Sequence, residues 1–302
     1  MRTFITGASG HIGSAVIPEL LDAGHEVVGL ARSNEAAVAV AKAGADVHRG
    51  DLDDLDNLRA AAAAADGVIH LAFKHEAMQT GDYAGAIAAD LRAIETIGAA
   101  LAGTGKPFVG TSGTLTLASA GLTRAGTEAD ALDAGPRVDA ENAVVALADH
   151  GVRSAVVRLP PTVHSSLDHY GFVPILIAIA RDKGVATYVG DGNNRWPAGH
   201  TLDAAHLYRL ALETAPAGSR LHAVDDEGVP FREIAEAIGR HLDLPVISIP
   251  PEQADAHFGF LGPLVALDNP TSSVRTRELL TWKPTHPGLI EDLDQGHYFN
   301  PR

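Results

Sequence analysis

The 302-residue chain contains no cysteine. That absence removes disulfides, thiolate nucleophiles and zinc–thiolate centres, and it suits a reducing cytoplasmic setting. Runs of lysine or arginine are missing too. With a formal net charge of -15, the surface repels polyanions, which argues against nucleic acid or an anionic membrane as partner. Long apolar stretches are also lacking. The strongest, FVPILIAIA at 172–180, falls well short of the ~20 residues that span a bilayer. No charged-then-apolar leader precedes Phe4 and Ile5, which already read as strand, so a soluble cytoplasmic protein is expected. HExxH and other convincing metal-ligand spacings are absent, and no metal is expected. There is no internal repeat and no low-complexity linker.

What is present is an ordinary globular composition, 46% hydrophobic, in a chain long enough for one two-lobed unit or two modest domains. Short β-like runs alternate with alanine-rich helical stretches through the first half. Strands are expected at 2–6, 26–31, 46–49, 67–72, 107–111 and 153–158, with helices near 12–23, 34–43, 54–65, 82–102 and 137–149. Continuous apolar strands separated by helices mean parallel strands covered on both faces. The expected fold is therefore α/β, a doubly wound parallel sheet whose ligands bind beyond the carboxyl ends of its strands. After about residue 160 prolines, histidines and aromatics become commoner and the alternation stops. Helices are expected near 174–183, 203–214, 230–241 and 272–280, and strands near 186–189, 220–224 and 246–249. Residues 1–160 thus read as a dinucleotide-binding domain to which some later segments return, and 161–302 as mainly a smaller substrate-binding lobe.

The segment TGASGHIG sets Gly7, Gly10 and Gly13 at the turn between the first strand and a helix carrying Ile12, Ala15, Val16 and Leu20 at helical spacing. Gly7 can take a tight turn, Gly10 lets backbone approach a pyrophosphate, and Gly13 lets helix pack on strand. The free N–H groups of the helix start supply the anion site. The spacing is TGxxGxxG rather than GxGxxG. With DGVIHLA at 66–72, VGTSGTL at 109–115, VVRLPPTVH at 156–164, NRWPAGHTLDAAHLY at 194–208 and LLTWKPTHPGL at 279–289, it resembles the extended and atypical short-chain dehydrogenase/reductase superfamily, the epimerase/dehydratase-like members included. The likeness covers nearly the whole chain. It implies a nicotinamide dinucleotide contacted by Gly7, Ser9, Gly10, His11, Ile12 and Gly13. Further contacts are implied from Asp51 and Leu52 at the adenine, and from Leu71, Ala72, Phe73 and Lys74 after the fourth strand. Thr111 at the fifth strand and Pro160, Thr162 and Val163 in the sixth-strand loop complete the implied set. It also implies a small-molecule substrate and, by analogy, a homodimer through the helices at 82–102 and 137–149.

At the end of the second strand VVGLARSNEA offers no carboxylate for the adenosine ribose. Arg32 is a permanent cation suited to a 2′-phosphate and Ser33 adds a hydroxyl, so NADP(H) is expected over NAD(H). The family's YxxxK pair is missing, since no tyrosine lies between Tyr83 and Tyr170 and no lysine between Lys106 and Lys183. Setting Glu141 on the family's glutamate puts Arg137 at the lysine position and Asp133 at the tyrosine position. Ser112 and Thr114 are both candidates for the upstream hydroxyl. In the helix at 82–102, Asp90 lies on the stripe of Ile87, Ile94, Ile97 and Leu101, where many extended members have asparagine; the substitution resembles an atypical subgroup. An inward carboxylate needs partners, so Asp90 is a candidate site residue.

Lys74 is a candidate to hold the ribose in the missing lysine's stead. His75, His164 and His200 are candidate proton donors, while Tyr170 and Trp196 read as pocket walls. The leading expectation is an NADP(H)-dependent oxidoreductase acting on a small or medium carbonyl. A sugar-type epimerase or dehydratase and a non-catalytic NADP(H) sensor remain as alternatives.

Overall fold

The structure is a computed structural model and describes residues 1–75, 81–135 and 137–300. Seven parallel strands form its main sheet in the order β10-β6-β5-β4-β1-β2-β3. They are β1 (Arg2–Thr6), β2 (Glu26–Ala31), β3 (Asp46–Arg49), β4 (Gly67–His70), β5 (Pro107–Gly113), β6 (Arg153–Leu159) and β10 (Ser219–His222). The strand order reverses between β1 and β4, which opens a crevice at their carboxyl ends where an α/β sheet takes its ligand. Helices α1 (His11–Asp22), α2 (Asn34–Lys42), α3 (Leu55–Ala64), α4 (Tyr83–Leu101) and α5 (Val138–Ala146) form the crossovers. Local chemistry starts three of them. Ser33, Asp54 and Asp82 each accept a backbone N–H of the first turn from a position before the helix.

The alternation of side chains divides the packing. Val109 joins the cluster under α1, whereas its neighbour Phe108 joins the cluster under α3, α4 and α5. The described residues include no helix long and apolar enough to cross a membrane.

The strand expected near 220–224 is β10, and it lies on the edge of the main sheet beside β6. Helix α7 (Thr201–Thr214) and Trp282 also pack into the main-sheet core. The second lobe carries strands that the sequence pattern did not reveal: β7 (Thr162–His164), β9 (Arg195–His200) and β11 (Asp226–Pro230) make one small sheet. Strands β8 (Ala186–Val189) and β12 (Val246–Ile249) make another. Helices α6 (Phe172–Lys183) and α8 (Phe231–Leu242) close its core around Trp196, which is fully buried against Phe172 and Phe231. Trp196 is therefore core, not a pocket wall. Tyr170, 86% exposed, walls nothing either.

Candidate active site

The glycine-rich turn is a cradle with no spare room. Gly7 has φ +70, and a Cβ there would meet the Ala72 nitrogen at 2.7 Å; one on Gly13 would meet the Gly7 oxygen at 2.3 Å. Gly10 is looser, with only the Gly7 oxygen at 3.2 Å. Chain and helix are thus pressed together at Gly7 and Gly13, and backbone is left open at Gly10, as a diphosphate requires. Ser9 is exposed beside Gly10, and His11 and Ile12 are half-buried at the helix start.

Along the crevice, Arg32 and Ser33 follow the end of β2. Ala31 pairs in register with Arg49 of β3, whose guanidinium donates to the Ser33 carbonyl and the Asn34 side chain. A second cation therefore stands at this rim, one that composition and spacing alone did not single out. Asp51 accepts the Asp53 N–H and Leu52 is buried below it. Lys74 leans onto Asp53 in an ion pair.

Arg137 stands against the end of β5, beside Thr111. Its guanidinium lies 4.2 Å over the Phe73 ring, donates to the Thr111 carbonyl at 3.3 Å and comes within 3.6 Å of the Asp90 carboxylate. Asp90, 2% exposed, accepts from His70 at 3.0 Å. The other His70 nitrogen meets the Thr6 hydroxyl at 2.8 Å, and that hydroxyl accepts the Ala72 N–H. One assignment satisfies every link: Thr6 O–H donates to Nδ1, and Nε2–H donates to Asp90 Oδ1. The Thr111 hydroxyl donates to the His70 carbonyl and so accepts from Tyr208, whose phenol burial pushes well above its ordinary pKa. Two atoms stay unpaired in this buried chain, Asp90 Oδ2 and Arg137 Nε.

Arg137 is held there by an anchor four residues on. Glu141, 4% exposed, is gripped by Arg158 (2.9 Å at Nε) and Arg220 (2.9 Å at Nε). Desolvation opposes its charge, but these guanidiniums win and keep its carboxyl below the usual range. Arg137 itself has φ 64, an arrangement costing a non-glycine residue on the order of 1 kcal/mol, and α5 begins only at Val138. Asp133 sits in a non-helical, exposed stretch. Asp133 thus lies outside the helix that begins at Val138.

Ser112 and Thr114 do not open onto the crevice. Ser112 is 3% exposed, on the β5 face toward Glu141, and Thr114 is fully buried and accepts from Asn269 at 3.0 Å. Both hydroxyls are thus shut off from solvent. Thr162 gives its hydroxyl to the Pro197 carbonyl, between buried Pro160 and half-buried Val163. His75 borders the Phe73 ring. Partial enclosure and then the Arg137 charge hold its imidazole below the ordinary range.

His200 belongs elsewhere. It stacks on His286 at 4.5 Å, caps α7 by accepting the Leu202 N–H, and is pushed down to about 4 by burial and neighbouring histidines. That makes it a poor acid at neutral pH and corrects its catalytic assignment. With Asp203 and His286 it forms a group whose ligand atoms lie close enough for a cation. Both Asp203 oxygens, however, are committed to the Thr285 and His286 backbone and to the His286 ring.

Residues 3–117 match the model of the NAD dependent epimerase/dehydratase family. The chain is 49% identical over 301 residues to an uncharacterized protein of Schizosaccharomyces pombe, covering 99% of this chain and 100% of that one. It is 28% identical over 271 residues to 4-hydroxy-2-methyl-3-oxo-4-farnesyl-3,4-dihydroquinoline-1-oxide ketoreductase of Stigmatella aurantiaca, covering 86% and 80%. Its fold matches that of dTDP-glucose 4,6-dehydratase of Streptomyces venezuelae, solved with NAD bound, at a TM-score of 0.77, with 19% identity and coverage of 97% and 96%.

Proposed function

The chain belongs to the NAD dependent epimerase/dehydratase family, and on that footing we propose that it is an NADP(H)-dependent reductase of a small or medium carbonyl compound. The observation that carries the reading is the pair of orphaned atoms, Asp90 Oδ2 and Arg137 Nε. One is an acceptor and the other a donor, both are buried, and their side chains balance each other's charge. A carboxylate ligand would satisfy Arg137 and confront Asp90 with like charge. A vicinal diol satisfies both, because each hydroxyl donates and accepts. The nicotinamide ribose is such a diol, and the glycine cradle lies on the same crevice.

When bound, the reduced nicotinamide supplies the hydride. Arg137 and Asp90 orient the ribose, and the His70–Thr6 chain keeps Asp90 in one rotamer. His75, exposed at the rim beside Phe73, delivers the proton to the carbonyl oxygen and regains it from solvent. Since the His75 acid form is lost as pH rises through its lowered pKa, reduction slows with rising pH on the acid side of the ordinary imidazole range. His75→Gln is expected to lose that limb while retaining NADPH fluorescence enhancement; an unchanged profile would remove His75 from the scheme.

The 2′-phosphate falls to Arg32, Ser33 and Arg49. Replacing either arginine by alanine is expected to weaken NADPH about tenfold with little change for NADH, read by titrating both coenzymes. Equal losses for the two would refute the assignment. The similarity to a ketoreductase supports reduction over isomerisation. Absorbance loss at the NADPH band with a panel of ketones, aldehydes and imines tests the activity. Tight binding without any turnover would leave a sensor in place of an enzyme.

A further inference from the structure

The His70–Asp90–Arg137 chain is one of several buried polar assemblies. A closed ring links α1 to the second lobe. His11 Nε2 meets the Thr201 hydroxyl at 2.8 Å. Thr201 donates to the His164 carbonyl at 3.1 Å and accepts from Ser165 Oγ at 2.9 Å. The Ser165 N–H donates to the Tyr298 hydroxyl at 3.0 Å, and Tyr298 donates to Asp168 Oδ2 at 3.2 Å. Asp168 Oδ1 then returns to within 3.7 Å of His11 Nδ1. Asp168 is 1% exposed and Thr201 fully buried.

The donors around this ring leave one gap. Thr201 has its only proton on the His164 carbonyl, so it accepts from His11, and the His11 proton sits on Nε2. Nδ1 is then a bare lone pair facing a carboxylate oxygen. Two acceptors confront each other with no hydrogen between them, and one added proton would join them. Burial supports the same view: it raises Asp168 to about 6 and lowers His11 to about 4.

His11 is also the first residue of the helix whose start cradles the diphosphate in the reading above, on which this inference rests. We propose that dinucleotide binding is coupled to uptake of a proton shared by Asp168 and His11, and that this pair positions the glycine-rich loop against the second lobe. A diphosphate beside His11 adds negative charge in a poorly hydrated setting and favours the protonated pair. The other titratable neighbours are His164 on β7, His169 in the following loop, His200 on β9, and Asp292, His297 and Tyr298 toward the C-terminus. His164 is already paired to Asp292 at 2.9 Å, and His164, His169 and His200 each act against a proton on His11.

The test is calorimetric titration of NADPH near pH 6.5 in two buffers of different ionisation enthalpy, with wild type and Asp168→Asn. The difference between the proteins cancels the ligand's own 2′-phosphate, which titrates near pH ~6. Wild type is expected to take up a few tenths of a proton per NADPH more than Asp168→Asn, and its Kd to weaken about three- to tenfold between pH 6 and 8. In Asp168→Asn that slope is shallower. Tyr298→Phe, which removes the donor to Asp168 together with the acceptor of the Ser165 N–H, moves the maximum of uptake to higher pH and serves if the asparagine variant is unstable. Equal uptake in wild type and Asp168→Asn, or an unmoved maximum in Tyr298→Phe, overturns the coupling. Failure of every protein to bind NADPH overturns the coenzyme reading instead.

Discussion

Arg137→Met is expected to lower kcat/KM with NADPH about 10²- to 10³-fold. The same change is expected to cost about 2–4 kcal/mol of stability. The two losses have different origins. The kinetic one follows from an unclamped ribose. The stability one follows from leaving Asp90, 2% exposed, without the guanidinium beside it, and it should lower Tm by roughly 5–10 °C in a chain of this size. Asp90→Asn tells them apart. Asparagine still accepts from His70 Nε2–H, so the double variant Arg137→Met/Asp90→Asn regains most of the lost Tm and none of the lost turnover. A single variant as stable and active as wild type would show that Arg137 merely covers Phe73.

Gly13→Ala is the second large effect. Its Cβ would stand 2.3 Å from the Gly7 oxygen and 2.7 Å from the Ala8 oxygen, both backbone atoms that no rotamer can move aside. The turn must open, at a cost of about 3 kcal/mol, and the positive-φ conformation of Gly7 goes with it. NADPH binding is expected to fall more than 100-fold, with Tm down by roughly 10 °C. Gly10→Ala provides the contrast. Only one oxygen at 3.2 Å opposes it, so the fold is nearly unaffected while the path of a diphosphate is blocked. Calorimetry and thermal melts on the pair separate cradle from scaffold. If Gly10→Ala binds NADPH normally, the turn holds no phosphate.

Legibility followed the range of the interactions. Strands β1, β2 and β3 appear at the residues their apolar runs indicated, because each is a short self-contained pattern between turn signals. The inward placement of Asp90 was equally readable, since helical spacing alone sets it among Ile94, Ile97 and Leu101. The short strands β7, β9 and β11 were not readable. Three to six residues carry too little periodicity, and their pairing joins segments distant in the chain. The helix around 137–149 was recognised, but not that it starts after residue 137, because a left-handed arginine has no sequence signature.

The amino-acid pattern by itself determined a parallel α/β sheet, a glycine-rich turn at its first strand and a stretch without tyrosine from Tyr83 to Tyr170. These are properties of local spacing and of residues plainly present or absent. Only the tertiary structure decided which buried polar groups meet beside that turn. His70, Asp90 and Arg137 come from a strand, a helix and a turn, and Thr6 closes the chain from the neighbouring strand. Strand order across the sheet brings them into contact, and nothing in their separation along the chain encodes that meeting.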